Sequence, residues 1–501
     1  MMRTPALRDI RAIAYYSGVV VFWFGTLMLL PILVGVVQQE WGPVIDFALS
    51  MGSCLCAGFA LQLCCGERDP DLSWTQGMVT VAVAWLICVL LGAIPYALSS
   101  HWGSYLDACF DIMSGFTTTG LTLVQDINHL PDAMNTWRHF VSWLGGQGMV
   151  VLALSFFAKG LPGAYKIYVG EAKDERLLPN VIHTARAIWT ISVLWLVVGG
   201  GMLALAGLGL GFSPGRAVLH GFWVYMTAWS TGGFAPMGQN ILYYHSFFYE
   251  ILIIIFMVVG SLNFNLHWSV FTGNRKEIRR NLETITFATT SLLLGGLAIW
   301  ELGKIEAYSG AVELFRKAYF QIISAHTGTG FMTVYARQFI HEWGPVSMLV
   351  IVIAMVLGGS ASSTAGGFKA VRVGVALKAL VHDIRRLLLP ESAVSVEKFH
   401  MLRSVVLDDR MVRTAMTIIL LYVLALTVGT AAGAAGGYDF VTSLFESASV
   451  VGNVGLSAGL TSPAMPAFVK VIYIAIMWVG RLEFLSVFVF FGYIWAGVRR
   501  R

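Results

Sequence analysis

Four short glycine-containing segments recur along the chain, and their backbone could coordinate a cation. Aligned without gaps they read TTTGL, STGGF, TGTGF and GNVGL, and the fixed glycines are Gly120, Gly233, Gly330 and Gly455. The next residue is always Leu or Phe, the sixth before is Ser or Thr, and the tenth before is aromatic. Glycine suits backbone dihedral angles that exclude a side chain. Four such segments around one axis would form a ring of backbone carbonyls, which can replace the hydration shell of a cation.

We call this ring the candidate filter. Each segment contributes three residues to it, the last of which is the fixed glycine. The twelve candidates are Thr118, Thr119, Gly120, Thr231, Gly232, Gly233, Gly328, Thr329, Gly330, Asn453, Val454 and Gly455. A chance alignment of glycine-rich loops is the alternative, and three columns that agree in all four copies argue against it. No carboxylate ring is needed at a carbonyl filter. We therefore expect Asp111 and Glu446, which precede the first and fourth glycines, to line a solvated vestibule.

A second candidate is a polar interruption of an apolar run. The apolar part, Val346 to Leu357, would form a helix of about 18 Å, shorter than the roughly 30 Å hydrocarbon core of a membrane. The ten residues that follow are Gly358, Gly359, Ser360, Ala361, Ser362, Ser363, Thr364, Ala365, Gly366 and Gly367. Polar, non-helical backbone at this depth must line a cavity, and interrupted helices often mark transport sites. The alternative is a small-residue seam between packed helices.

Arg481 is a third candidate because it lies inside an apolar stretch. A guanidinium within a membrane costs a few kcal/mol even on lenient scales, so it should face the protein interior or water. Glu483 is two residues away and points off another helix face, which makes it a poor local partner. The alternative is a buried ion pair or a carbonyl cap without a role in transport.

The elements that position these residues are membrane spans. Only 12% of the 501 residues are charged, and the mean hydropathy is +0.72. We predict an all-α polytopic membrane protein with ten spans, near residues 15–37, 44–65, 77–99, 138–158, 187–212, 246–268, 285–303, 346–388 (interrupted), 413–433 and 464–497. The segments that carry the fixed glycines are too short to cross and too apolar for solvated loops, so we predict re-entrant half-helices followed by extended strands over Leu106–Leu123, Val218–Met237, Val312–Val334 and Phe440–Leu460.

Most Lys and Arg residues fall in connections on one side of these spans, together with both termini. The positive-inside rule makes that side cytoplasmic. Topology therefore accounts for the net charge of +5, and no nucleic-acid partner is implied. The six cysteines form no CxxC pair, so we expect neither a metal site nor a disulfide framework.

Taken together, these motifs resemble the Trk/Ktr/HKT superfamily of potassium transporters, and the two additional N-terminal spans resemble the bacterial Trk membrane subunit. The likeness also covers GAIPYALS at Gly92–Ser99, VGSLNFNLHW at Val259–Trp268, GGSASSTAGGFK at Gly358–Lys369 and GRLE at Gly480–Glu483. It implies that the fixed glycines line a filter for K⁺. Some members have Ser at the first position and favour sodium, so Gly120 favours potassium.

The resemblance also implies roles for the other candidates. The interrupted span matches an intramembrane gate beneath the filter. Arg481 matches a pore arginine that raises the barrier for a cation and can hold the gate through its carbonyls. His326 departs from the family pattern, and we favour packing behind the filter over a direct influence on the ion.

The implied assembly is a homodimer that binds cytosolic, Rossmann-type nucleotide-binding subunits at the bacterial inner membrane. This chain has no Rossmann glycine motif and needs no organic cofactor, so nucleotide control would come from the partner. We divide the chain into two peripheral helices and four pore repeats, at 1–70, 71–160, 161–282, 283–400 and 401–501. The predicted function is potassium uptake. A sodium-selective or non-selective transporter is the alternative, and a polytopic membrane enzyme is a distant one, because no paired carboxylates or metal cluster lie near an interface.

Overall fold

The computed structural model describes residues 7–63, 72–148, 181–390 and 395–499. The chain begins with three helices, α1 (Leu7–Leu27), α2 (Leu29–Val37) and α3 (Trp41–Leu63). Helices α1 and α3 approach closely because they meet at small residues: a Cβ atom on Gly18 would lie 2.6 Å from the carbonyl oxygen of Gly58. These helices flank four repeated helix–half-helix–helix units.

The first two units contain a long outer helix, a half-helix and an inner helix. In the first these are α4 (Trp74–Gly92) with the short α5 (Ile94–Leu98), the half-helix α6 (Tyr105–Phe116) and α7 (Asp132–Gln147). In the second they are α8 (Val181–Gly209), α9 (Pro214–Trp229), a 3-10 turn (Asn240–Tyr244), α10 (Phe247–Gly260), α11 (Phe264–Phe271) and α12 (Glu277–Arg280).

The last two units repeat the pattern. The third comprises α13 (Leu282–Lys304), the half-helix α14 (Ala311–His326), α15 (Ala336–His341), α16 (Gly344–Leu357) and α17 (Ala370–Leu388). An antiparallel hairpin of β1 (Lys398–Met401) and β2 (Arg403–Val406) follows. The fourth comprises α18 (Asp409–Ala435), the half-helix α19 (Phe440–Gly452), α20 (Ala467–Arg481) and α21 (Leu485–Val498). The predicted boundary at 400/401 falls inside β1, and those at 70/71 and 160/161 lie outside the described residues.

The predicted spans are mostly found as helices. Among the described residues, six helices are long and apolar enough to cross a membrane, and two bent helix pairs bring the number to eight. Helix α7 ends at Gln147, the part of the predicted span 138–158 after residue 148 lies outside the described residues, and 346–388 is interrupted as expected. The protein is therefore an all-α multi-pass membrane protein with the four predicted half-helices.

Two spans predicted as continuous are broken, and that part of the prediction was wrong. The run at 246–268 bends by 99° between α10 and α11, and the run at 464–497 bends by 113° between α20 and α21. Asn263 begins α11 by accepting a hydrogen bond from the Asn265 N–H, while Glu483 and Phe484 have positive φ angles of 50° and 67°. Apolar composition conceals both breaks.

Because of these breaks, the four inner helices have nearly the same length. Helices α7, α10, α16 and α20 have 16, 14, 14 and 15 residues, or roughly 21–24 Å at 1.5 Å per residue. The interruption that the sequence marks after α16 is thus one instance of a feature that also ends α10 and α20. All four helices stop beside the filter segments, where non-helical backbone begins.

Candidate ion pathway

The four fixed glycines form a closed ring. A Cβ atom on Gly120 would overlap the carbonyl oxygen of Gly232, and one on Gly233 would overlap that of Thr329. In the same way, a Cβ atom on Gly330 would overlap the carbonyl oxygen of Val454, and one on Gly455 would overlap that of Thr119. Each repeat therefore touches the next in the order one, two, three, four and back to one, through backbone alone.

Glycine is required at these positions for two reasons. Their φ angles are +84° at Gly120, +63° at Gly233, +80° at Gly330 and +100° at Gly455, a region that side chains disfavour. The neighbouring carbonyl also leaves no room for a Cβ atom. The ring can therefore place four backbone strands close to one axis.

The residue two positions before each fixed glycine also has a left-handed backbone conformation, which the sequence analysis missed. Thr118, Thr231, Gly328 and Asn453 have φ angles of +56°, +53°, +73° and +52°. In an ordinary strand, successive residues point to opposite sides. Left-handed residues at alternate positions change that pattern, so that successive carbonyls can turn to one side. Only Gly328 and Asn453 are residue types that hint at this conformation.

The hydroxyl six residues before the glycine braces the strand in the second, third and fourth repeats, whereas Ser114 Oγ of the first repeat has no hydrogen-bond partner among the described residues. Thr227 Oγ1 donates to the Phe234 carbonyl at 2.7 Å, and Ser324 Oγ donates to the Phe331 carbonyl at 2.8 Å. In the fourth repeat Ser449 Oγ instead accepts from the Gly455 N–H at 2.9 Å. All four repeats also share a backbone bond, 2.7–2.9 Å long, from the residue before the glycine to the carbonyl of the hydroxyl residue. The Ser or Thr six residues before each fixed glycine thus marks the turn between half-helix and strand.

Asp111 and Glu446 do not line a vestibule, which corrects the expectation from sequence. Their residues are only 1% and 0% exposed. Asp111 accepts hydrogen bonds of 2.6 Å from the Thr122 hydroxyl and the Leu123 N–H. Glu446 accepts from the Ala458 and Leu460 N–H groups, both at 3.0 Å, and from two hydroxyls. Both carboxylates hold the backbone that rises beyond the filter, because that backbone has no strand partner of its own.

The third repeat uses an amide at the same place. Gln321 Nε2 donates to Thr333 Oγ1 at 3.0 Å. Gln321 lies nine residues before its glycine, as Asp111 and Glu446 do. A polar residue at this position therefore forms a hydrogen bond to the segment beyond the glycine in three of the four repeats, to backbone and hydroxyl groups in the first and fourth and to a hydroxyl in the third.

The threonines of the candidate filter are held by other side chains. Thr119 Oγ1 lies 2.7 Å from Thr117 Oγ1 and accepts from Asn453 Nδ2 at 3.0 Å. Thr329 Oγ1 lies 2.8 Å from Thr327 Oγ1. The hydroxyls thus stiffen the filter backbone and, through Asn453, join the first repeat to the fourth.

The ten-residue segment Gly358–Gly367, here called the intramembrane loop, lies directly against the filter. Thr364 Oγ1 is within 3.1 Å of the Trp229 carbonyl and 2.9 Å of the Gly260 carbonyl, and it accepts from Thr231 Oγ1 at 3.1 Å. A Cβ atom on Gly366 would overlap the Gly452 carbonyl oxygen. The loop therefore contacts the second and fourth repeats although it belongs to the third.

The opposite side of the loop is tied to polar residues that the sequence analysis did not single out. The Ser360 N–H donates to the Ser261 carbonyl at 3.0 Å, and the Ala361 N–H donates to Glu283 Oε1 at 2.7 Å. Lys369 donates to the Ala365 carbonyl. Glu283 is 1% exposed, and a lone glutamate at the start of an apolar helix carries no signal of this contact.

Arg481 joins the filter, the loop and the first repeat. Its Nη1 donates to Thr118 Oγ1 at 3.2 Å and to the Thr364 carbonyl. Its Nη2 donates to the carbonyls of Gly145 at 2.7 Å and Gly146 at 3.2 Å, at the C-terminal end of α7. The carbonyl-cap interpretation and the pore interpretation are thus compatible, because the capped carbonyls adjoin the filter.

His326 lies behind the candidate filter. It is 1% exposed, its Nε2 is 2.6 Å from Thr290 Oγ1, and its ring centroid is 4.6 Å from that of Phe287. Both contacts are on α13, the outer helix of the repeat. This placement supports the packing interpretation.

The fold and this ring together define a membrane transport protein built from four pore-loop repeats. A family model described as TrkH, cation transport protein, matches residues 46–302 and 305–495. The chain belongs to the TrkH family of cation transport proteins. It is a transport protein and not a membrane enzyme.

Several relatives match over almost their full lengths. An uncharacterized cation transporter of Methanocaldococcus jannaschii is 32% identical over 97% of this chain and 96% of the relative. The Trk system potassium uptake protein TrkH of Escherichia coli K12 is 28% identical over 96% of this chain and 98% of the relative. The crystal structure of the potassium transporter TrkH from Vibrio parahaemolyticus superposes with a TM-score of 0.82 at 25% identity, covering 96% of this chain and 98% of that one.

Proposed function

We propose that this chain is the pore-forming subunit of a potassium uptake system. The observation that carries the proposal is the closed ring of four positive-φ glycines, each in contact with the carbonyl of the next repeat. Such a ring offers backbone oxygens in place of water and needs no charged ligand. The naming of relatives as Trk system potassium uptake proteins supports K⁺ as the transported ion.

In this proposal K⁺ binds to backbone carbonyls of the twelve filter residues. The intramembrane loop acts as the gate, because its Thr364 and Gly366 lie against the filter from beneath. Arg481 adds a positive charge beside that gate, which raises the barrier for a cation and holds the Thr364 carbonyl in place.

The proposed assembly is a homodimer in the bacterial inner membrane with both termini cytoplasmic. The asymmetric distribution of Lys and Arg supports that orientation. The word "system" in the relatives' names supports a partner, and a cytosolic nucleotide-binding subunit of Rossmann type would supply the nucleotide control that this chain cannot.

The test is growth of a potassium-uptake-deficient strain on low potassium, followed by initial-rate uptake of K⁺ with Na⁺ as competitor. Wild-type protein should restore growth and prefer K⁺. Na⁺ that competes with K⁺ as well as or better than K⁺ itself would instead identify the non-selective or the sodium-selective alternative.

Gly120→Ser tests the ring itself. The substitution places a side chain against the Gly232 carbonyl and should lower the K⁺/Na⁺ ratio. Gly211→Ser is the matched control, because Gly211 also has a positive φ, +89°, but a Cβ atom there would meet no atom within 4 Å. An unchanged ratio in well-inserted Gly120→Ser protein would exclude Gly120 from the filter.

A further inference from the structure

A cavity of about 490 Å³ lies between the intramembrane loop, α17, the β1–β2 hairpin and the start of α18. Ala361 and Ser362 of the loop form part of its wall. The remaining wall divides into two kinds of surface. Three arginines, Arg372, Arg403 and Arg410, contribute positive charge. The apolar lining comes from α17, the hairpin and α18, through Val371, Val375, Met401, Met411 and Ala415.

The charge in this cavity is unbalanced. Glu483 is the acidic residue in the described wall, and it already pairs with Arg372 and lies 3.9 Å from Lys369 Nζ. Arg403 and Arg410 form no ion pair within the described ranges of the chain. Guanidinium groups bind phosphate in a bidentate manner, so two such groups beside an apolar floor favour a ligand with a phosphate and a hydrocarbon part.

The cavity lies where a membrane would present that chemistry. Helix α18 is a span that begins at Asp409, and directly beyond the cavity it exposes Met416 and Leu420, which are 48% and 68% exposed. These residues face the hydrocarbon once a bilayer surrounds the protein. Arg410, in the first turn of the span, and Arg403, in the β2 strand that precedes it, are therefore at headgroup level, on the side that the positive-inside rule makes cytoplasmic.

We propose that this cavity binds the phosphate of an anionic glycerophospholipid such as phosphatidylglycerol. Arg403 and Arg410 hold the phosphate, and the acyl chains follow the apolar side of α18. Basic pockets between membrane helices are suited to such headgroups. Because Ala361 and Ser362 form part of the wall, a bound lipid touches the intramembrane loop. A consequence for ion flux rests on the proposed function, whereas binding itself does not.

The binding test uses full-length protein in detergent, titrated with phosphatidylglycerol and, in parallel, with phosphatidylcholine. Native mass spectrometry counts the bound lipids. Phosphatidylglycerol should bind preferentially, and Arg403→Gln combined with Arg410→Gln should weaken its binding about twenty-five-fold, at a factor of five for each charge. Thr414→Phe should block binding without any change of charge, since Thr414 also lines the cavity.

Arg413→Gln is the matched control because Arg413 is exposed on the same helix but does not line the cavity. Equal binding of phosphatidylglycerol to wild type and the double variant would overturn the proposal. Soluble glycerol phosphate that binds as tightly as the lipid would also overturn it and identify a site for a free anion. If Arg413→Gln weakened phosphatidylglycerol binding as much as the cavity variants do, the effect would come from non-specific surface charge. That result would also overturn the proposal.

A second measurement separates this inference from the transport proposal. K⁺ flux into phosphatidylcholine liposomes, with and without phosphatidylglycerol, should respond to the anionic lipid in wild type and not in Arg403→Gln/Arg410→Gln protein. Lipid binding without any K⁺ flux would refute the proposed function alone. Flux that does not change with phosphatidylglycerol despite specific binding would refute the consequence for ion flux and leave the binding site standing.

Discussion

Replacing Thr364 by valine removes a hydroxyl that ties the intramembrane loop to the filter while keeping the shape of the side chain. In the folded protein this hydroxyl donates to the Trp229 and Gly260 carbonyls, at 3.1 and 2.9 Å, and accepts from Thr231 at 3.1 Å. One donor shared between two acceptors counts as one bond. Thr231 Oγ1 also donates to the Ser230 carbonyl at 2.7 Å and keeps that acceptor, so the variant loses one bond, worth about 1 kcal/mol net.

The loss should therefore favour the displaced loop by about 1 kcal/mol, or about fivefold in the ratio of displaced to seated loop. If the seated loop limits flux, maximal K⁺ uptake should rise by up to that factor and level off once the loop no longer limits it. The K⁺ preference should persist, because the filter glycines and their carbonyl contacts are unchanged.

The assay is initial-rate K⁺ uptake, normalised to membrane-inserted protein, with Na⁺ competition in parallel. Thr364→Ser is the control, since serine keeps the hydroxyl and should resemble wild type. Flux at or below wild type in well-inserted Thr364→Val protein would refute the gate. A gain in flux with lost K⁺ preference would show that the loop supports the filter instead of closing the pore.

Three further predictions concern the surroundings of the loop. Arg481→Gln should raise K⁺ flux severalfold by removing a positive barrier, and Arg481→Lys, which keeps the charge, should not; abolished uptake at normal expression would favour a purely structural cap. Deletion of Ala361–Ser363, which spares Thr364 and its contacts, should raise maximal uptake with apparent affinity retained, whereas a packing seam predicts lower folded yield and lower flux. Outside the membrane, burial by itself would raise the pKa of Glu277, but hydrogen bonds from His400 and the Leu402 N–H lower it below its usual value. A depressed carboxyl pKa stabilises the fold at neutral pH and stops doing so as the pH falls through it. The protection factors of the hairpin amides, from which the intrinsic pH dependence of hydrogen exchange is removed, should therefore fall below about pH 4 in wild type and show no such step in Glu277→Gln.

The sequence by itself determined the repeating elements. Fixed glycines with an aromatic, a hydroxyl and an apolar residue at constant offsets specify a half-helix, a turn and an extended strand, since each depends on neighbours within about ten residues. Long apolar runs specify spans for the same local reason. The polar residues after Leu357 were enough to predict that the eighth span breaks there.

Only the tertiary structure decided how the repeats meet. The ring contacts and the three anchors of Arg481 join residues that are at least 96 positions apart, and no local pattern encodes such pairs. The breaks after α10 and α20 occur within apolar sequence, so hydropathy predicts a continuous span at each of them. Asp111 and Glu446 appeared to be vestibule residues because a carboxylate in isolation prefers water. Their burial became favourable only once the folded chain supplied N–H and hydroxyl donors, which offset the cost of leaving water.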